Sequence, residues 1–229
     1  MRLKVRFYTK EYGTKLLPKD YRFYIGSFID EITKTTNAFV FSLSFKKYQD
    51  HQIPDELIFS TGDKEIFQKI QKKFSDMKKK NEGIKIRNYS EILISDVFLL
   101  EKIDFDLGSA LFSTEVCILT NPNAFPEDFN KWFCVPEDEN FSEILEKRTL
   151  QRYFAIKGEK PSTKLIVRTE KSKTVCTKIY DGEEDFLIKG FKGIFQIESE
   201  PDILKFIYDY GLGIHTSRGF GLVHVLKNF

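Results

Sequence analysis

Two hydrophobic periods alternate along this chain, and their order leaves few folds open. Leu3, Val5 and Phe7 alternate with Lys4, Arg6 and Tyr8, a period of two that predicts a half-buried strand over 2–9. Pro18-Lys19-Asp20 offers a turn and an N-cap. Tyr24, Ile25, Phe28, Ile29 and Ile32 then recur at helical spacing, predicting a helix over 21–33. Strand chemistry returns at 38–45, followed by a polar loop over 46–55 and a short strand over 57–60. Thr61-Gly62-Asp63 reads as a turn with a cap. Ile66, Phe67, Ile70, Phe74 and Met77 mark a second helix, closing in Lys78-Lys79-Lys80, cations that suit the negative end of a helix dipole. Ile92, Ile94, Val97 and Leu99 complete a strand. Strand, helix, strand, strand, helix, strand is the split βαβ order of a ferredoxin-like domain.

The second half repeats that order. Strand chemistry runs over 112–120, a helix over 141–154, and strand pieces over 165–168 and 175–180. Asp181-Gly182-Glu183-Glu184 is a turn, and a long strand over 186–197 is interrupted by Gly190 and Gly193. Ile203, Leu204, Ile207 and Tyr208 place a helix over 202–210, and 222–226 closes as a strand. The expected fold is therefore α+β: two tandem ferredoxin-like βαββαβ domains, 1–105 and 106–229, joined around 101–109. A chain of 229 residues is long enough for two cores.

Charge and composition narrow the function. Lys plus Arg number 36 against 34 Asp plus Glu, so any nucleic-acid surface must be local rather than a property of the whole chain. No stretch approaches the ~20 apolar residues of a membrane span, and the charged N-terminus has no signal-peptide core. The 3 cysteines, Cys117, Cys134 and Cys176, form no C-x-x-C pair, and there are only 3 histidines. Neither a structural zinc nor a multi-histidine centre is expected, and no cofactor. Reduced thiols suit a cytoplasmic protein.

The sharpest motif is Gly211-Leu212-Gly213-Ile214-His215-Thr216-Ser217-Arg218-Gly219-Phe220-Gly221. Gly211 stands where a left-handed residue ends a helix. Gly213, Gly219 and Gly221 remove side chains where a backbone must come close to something. Ser217 and Arg218 add a hydroxyl and a guanidinium, so exposed amides here could cradle a phosphate. A tight structural turn explains the same glycines. A dinucleotide fingerprint does not, because that motif opens a helix, whereas this one follows a helix and precedes a strand.

A glycine-rich loop between the last helix and the last strand of a tandem ferredoxin-like protein resembles the signature of the RAMP superfamily. Residues 200–225 resemble one branch of it, the CRISPR-associated endoribonucleases that cut repeat RNA into guide RNAs. Gly190-Phe191-Lys192-Gly193-Ile194-Phe195, Phe41-Ser42-Leu43 and Ser60-Thr61-Gly62-Asp63 also match short patterns of that branch. The resemblance implies metal-independent cleavage. The 2′-hydroxyl beside the scissile phosphate attacks it, leaving a 2′,3′-cyclic phosphate and a 5′-hydroxyl, with groups supplied for both proton transfers and for the phosphorane charge. The implied partners are CRISPR repeat RNA or guide RNA and, in the alternative reading as a non-catalytic subunit, other Cas effector subunits. No membrane partner is implied, and the oligomeric state is left open.

Many relatives carry a histidine just after the first helix, but Thr33-Lys34-Thr35-Thr36-Asn37 has none. The nearest substitute is His51, in the expected loop with Lys46 and Lys47, as general acid or base with supporting cations. Tyr24 on the first helix is a further catalytic candidate, although its spacing also fits core packing. The RNA-binding candidates are Gly211, Gly213, His215, Ser217, Arg218, Gly219 and Gly221 of the loop, with Lys164, Arg168, Lys171 and Lys173 of the second domain. Those lysines and arginine fit a basic hairpin gripping RNA and equally an ordinary charged edge. His224, in the final strand, reads as structural.

Overall fold

In the computed structural model, residues 1–8, 21–35, 38–48, 51–86, 91–121, 132–161, 163–180 and 184–229 are described. The expected turn at 18–20 and most of the one at 181–184 lie outside them. The first half contains β1 (Arg2–Tyr8), α1 (Tyr21–Thr33), β2 (Val40–Tyr48), β3 (His51–Ser60), α2 (Lys64–Lys80), β4 (Gly83–Ile84) and β5 (Ile92–Leu99). The second contains β6 (Ser109–Thr114), α3 (Phe141–Lys157), β7 (Ile166–Tyr180), β8 (Asp185–Glu198), α4 (Pro201–Tyr210) and β9 (Val223–Asn228).

The sheets run β2-β3-β1-β5-β4 and β7-β8-β6-β9. With the two-residue β4 set aside, both have the ferredoxin-like order: second, third, first, last. Each has its own core. Leu3, Val5 and Phe59 pack against Ile25 and Ile29 of α1 and Ile70 and Phe74 of α2. Phe112, Phe191 and Phe195 pack against Leu145 of α3 and Leu204 and Ile207 of α4. Strand alternation then turns Ser113, Lys192, Ile194 and His224 to the opposite face of the second sheet.

Local chemistry accounts for the ends of the helices. Asp63 Oδ1 accepts from the amides of Glu65 and Ile66 at 2.8 and 3.0 Å, capping α2. Lys78, Lys79 and Lys80 occupy its last turn, and Asn81 closes it in the left-handed region at φ 56°. Gly158 does the same for α3 at φ 75°.

Three expectations are corrected. Residues 46–48 and 51–55 of the expected loop are strand: Lys46, Lys47 and Tyr48 of β2 pair with Ile53, Gln52 and His51 of β3. The two strand pieces of the second domain are one strand, β7, paired with β8 from Ile166 to Tyr180. Both β2 and β7 are edge strands, where polar residues on the outer side carry no penalty and hide the ladder from a periodicity argument. The strand expected over 112–120 stops at Thr114, and Cys117, Ile118 and Thr120 make only isolated bridges beyond it.

α4 ties the domains together. Arg2 of β1 is buried, donates to the carbonyl of Tyr208 and to Ser60 Oγ at 3.2 Å, and stacks 3.5 Å from the Tyr208 ring centroid. Tyr210 packs so closely on Gly62 that a Cβ there would lie 2.7 Å from its ring. Arg2→Ala removes a charged hydrogen bond, leaving the buried Tyr208 carbonyl with only the Ser60 hydroxyl as side-chain donor, and deletes a cation–π contact, so it should cost about 2–4 kcal/mol. Urea unfolding should then separate into two transitions, one per domain, where the parent protein shows one.

Candidate functional site: the glycine-rich loop and the residues around it

The segment after α4 turns inward. Gly211, Gly213, Gly219 and Gly221 are all buried and all have positive φ, between 77° and 81°. A side chain at Gly221 would overlap the carbonyl oxygen of Leu212, and one at Gly219 would lie 2.9 Å from the Phe41 ring. Positive φ and missing space both demand glycine here. The expected outward-facing amide cradle is therefore corrected. The amides of Gly211, Leu212, Ile214, Arg218, Gly219 and Gly221 donate to carbonyls of Ile207, Gly221, Ile118, His215, Thr216 and Val116. What the glycines approach is protein backbone and the Phe41 ring. Ser217 is likewise buried, with its carbonyl 2.6 Å from where a Cβ on Gly26 of α1 would stand. Phe220 is 1% exposed and anchors the loop against Ile118, Phe133 and Ile188.

A cation that sequence reasoning missed holds the loop's shape. Arg152 of α3 donates to the carbonyls of Tyr210, Gly211 and Gly213 at 3.0, 3.0 and 2.9 Å and to Thr216 Oγ1 at 3.2 Å. Burial lowers its pKa to about 10, which still leaves it charged at neutral pH. Nothing in the helical pattern separates this arginine from an ordinary surface cation.

The charged side chains at the loop's rim meet α1. Arg218 is partly exposed, 3.7 Å from Asp30 Oδ2 and 5.3 Å from the Phe23 ring centroid. Burial raises the Asp30 pKa against the opposing pull of Arg218. Arg22, also missed in the sequence, lies over both the Tyr21 and Phe220 rings at 4.9 Å. His215 sits at φ 57° with solvent at its surface, and local crowding, then the Arg218 charge, push its pKa below the ordinary histidine value.

The other predicted residues are dispersed. Lys46 and Lys47 are exposed on β2, five and six residues beyond Phe41, so roughly 17–20 Å along the strand from the loop's contact. Lys46 pairs with Asp55 at 3.2 Å. His51 opens β3 opposite Tyr48, and its side chain lies outside the described residues. Tyr24 is half-buried at the edge of the first core, with its ring 5.6 Å from that of Phe23. Lys164 precedes β7, and Arg168, Lys171 and Lys173 are exposed along it, Arg168 being paired with Glu198. His224 Nε2 lies 3.6 Å from Glu115 Oε1, and the attraction of His224 first, then of Lys192 and Arg22, holds the Glu115 carboxyl below the usual range against partial loss of hydration. No group of three or more His, Cys, Asp or Glu suited to a metal occurs among the described residues, and no described helix is long and apolar enough to cross a membrane.

Comparison with known proteins gives this geometry a context. Residues 100–225 match the family model for CRISPR associated protein Cas6, C-terminal. A relative from Pyrococcus furiosus, described as a putative CRISPR-associated endoribonuclease-like protein Cas6, is 31% identical over 136 residues, 59% of this chain and 55% of that protein. One from Pyrococcus horikoshii, described as a putative CRISPR-associated endoribonuclease-like protein Cas6nc, is 30% identical over 96 residues, 42% of this chain and 39% of that protein. The chain thus spans about half or less of the curated relatives it matches. Among solved structures, a Cas6-related protein from Pyrococcus furiosus superposes with a TM-score of 0.80 at 21% identity, over 100% of this chain and 99% of that one. A RAMP protein described as binding different RNA substrates gives 0.76 at 21% identity, over 99% of this chain and 100% of that one. Both likenesses bear on the fold alone.

Arg152→Met leaves three buried carbonyls without their donor, and each orphaned group costs about 1–3 kcal/mol. A loss of at least ~3 kcal/mol should lower Tm by about 6–12 °C for a chain of this size, read by calorimetry. Arg152→Lys should recover only part of it, because one ammonium cannot span the same acceptors.

Proposed function

From the premise that the chain belongs to the Cas6 family of CRISPR-associated proteins, we propose that it is a metal-independent endoribonuclease that binds CRISPR repeat RNA in the cytoplasm and cuts it into guide RNA. The observation that carries this reading is the family match across the glycine-rich loop, at residues 100–225. Around that loop, Arg218 and Arg22 stand at the surface where the two domains meet. These cations suit an RNA backbone, with the loop acting as a rigid mount rather than as the anion cradle itself. The exposed Lys171 and Lys173 of β7 extend the same charge along the second sheet. An A-form stem would be read there by shape and backbone, and unstacked bases by side-chain contacts.

The reaction is internal transesterification. The 2′-oxygen bonds to phosphorus, the bond to the 5′-oxygen breaks, and the proton lost by one oxygen is matched by the proton gained by the other. No redox partner is needed. A second reading, an RNA-holding subunit without catalysis, is favoured by one observation: residues 33–37, where many relatives carry a histidine, have none.

Incubation with the host's repeat RNA in EDTA should give one major cut with 2′,3′-cyclic phosphate and 5′-hydroxyl ends, and a 2′-deoxy substitution at the cut should abolish it. Binding without cleavage would favour the subunit reading, and cleavage of the deoxy substrate would exclude internal attack. Arg218→Ala should weaken binding about equally across RNA sequences and reduce the slope of log affinity against log salt by about one. Unchanged affinity and slope would remove Arg218 from the RNA surface.

A further inference from the structure

His224 reads as structural in the sequence, yet its surroundings are those of a reacting group. Val223 is buried and Val225 packs against the second core, so His224 between them faces the other side of the sheet. Its cross-strand partner is Ser113. Glu115, two residues further on, shares that face and approaches His224 Nε2 to 3.6 Å. The β6–β8 register, Ser113 opposite Ile194, carries Lys192 toward Glu115, and Lys173 lies opposite Lys192 on β7. From the first domain, Arg22 covers Phe220 and acts electrostatically on Glu115, as Lys192 does. Glu115 acts in the same way on the Tyr21 hydroxyl. A row of Lys173, Lys192, Glu115 and His224 therefore crosses the second sheet and ends where α1 begins.

A structural role explains this poorly. The His224 and Glu115 side chains are 38% and 49% exposed, and exposed ion pairs typically contribute ~0–1 kcal/mol. By contrast, a histidine oriented by a carboxylate and flanked by cations from two domains matches the needs of phosphate-ester transesterification.

We propose that His224 is a catalytic base for RNA cleavage by this protein, with Glu115 as its positioning residue and Lys192 and Arg22 as its cations. This rests on the endoribonuclease reading. Glu115, facing Nε2 from 3.6 Å, favours the tautomer protonated there and leaves Nδ1 to accept the proton of the attacking 2′-hydroxyl. The new O–P bond forms, Arg22 offsets the phosphorane charge, and the O–P bond to the 5′-oxygen breaks as the Lys192 ammonium protonates it. Exchange with solvent returns His224 and Lys192 to their starting forms. The products are a 2′,3′-cyclic phosphate and a 5′-hydroxyl, and no further reactant is consumed.

Single-turnover cleavage of repeat RNA, alongside affinity for the 2′-deoxy analogue, tests the assignment. His224→Ala should slow cleavage about 10²–10⁴-fold, with analogue affinity within about twofold and part of the rate restored by added imidazole. Glu115→Gln should slow cleavage about tenfold while binding the analogue as tightly or more tightly, because a negative charge beside phosphate is gone. A purely structural pair would not give that split. Lys192→Ala should lower both rate and affinity. If the parent protein cleaves and His224→Ala cleaves at its rate, this assignment falls and the endoribonuclease reading stands. If the parent protein binds repeat RNA and never cuts it, the endoribonuclease reading falls and takes the catalytic role of His224 with it.

Discussion

One guanidinium fixes the part of the molecule on which the rest of the surface depends. Arg152 gathers the carbonyls of Tyr210, Gly211 and Gly213 and the hydroxyl of Thr216, the acceptors left where α4 ends and the chain must reverse. Helix ends always leave carbonyls unpartnered, and most are met by water or a cap. Here the reversal is buried, so the partner has to come from a neighbouring element, and only a fork of donors can serve several acceptors at once. The charge stays buried without a carboxylate in those four bonds. The attraction of aligned carbonyl dipoles offsets part of its lost hydration, and the result is a loop with little freedom to rearrange.

That rigidity passes to the joint between the domains. The loop's Gly219 lies against Phe41 of β2, and Gly26 of α1 lies against the carbonyl of Ser217. α4 brings Tyr208 and Tyr210 onto Arg2 and Gly62. Contacts this close, between backbone and aromatic rings, leave no water layer to shear. The relation of α1 to the second sheet is therefore set by packing, and so is the reach of Arg22 and Arg218 across the junction. A substrate that touches both domains meets side chains already in position, and less ordering entropy opposes its binding.

Much of this architecture is legible in the sequence, and the parts that are not share a cause. α1 is found at 21–33 as expected, because its apolar residues keep one period and face one core. The outer end of β2 and the middle of β7 are missed because both strands run at sheet edges, where Lys46, Lys47, Lys171 and Lys173 meet water and the alternation fades. The glycines mark the loop correctly, and of its two readings the tight turn is the one found: Gly221 makes room for the Leu212 carbonyl. Sequence shows that a Cβ is unwelcome and is silent on what would collide with it. Arg152 is illegible for a related reason, since its partners are backbone carbonyls, which carry no residue identity.

His224 is the opposite case, a residue whose signal was present. Val223-His224-Val225 alternates as cleanly as the first strand of the chain, and alternation alone sends the histidine away from the core that holds the valines. What the sequence could not supply is the neighbour. Glu115 stands far from His224 in the chain and reaches it only through the β6–β9 ladder, while Lys192 arrives from β8 on the other side of β6. In the ferredoxin-like order the first strand of a domain lies between its third and its last, so side chains distant in sequence become adjacent on the face opposite the helices. The same order in the first domain places β1 between β3 and β5, with Glu56 of β3 beside Lys4 and Arg6 of β1. There the carboxylate is matched by two cations and no histidine. The shared topology thus brings charged residues together on both sheets, and only the second places an imidazole among them where another domain supplies a cation.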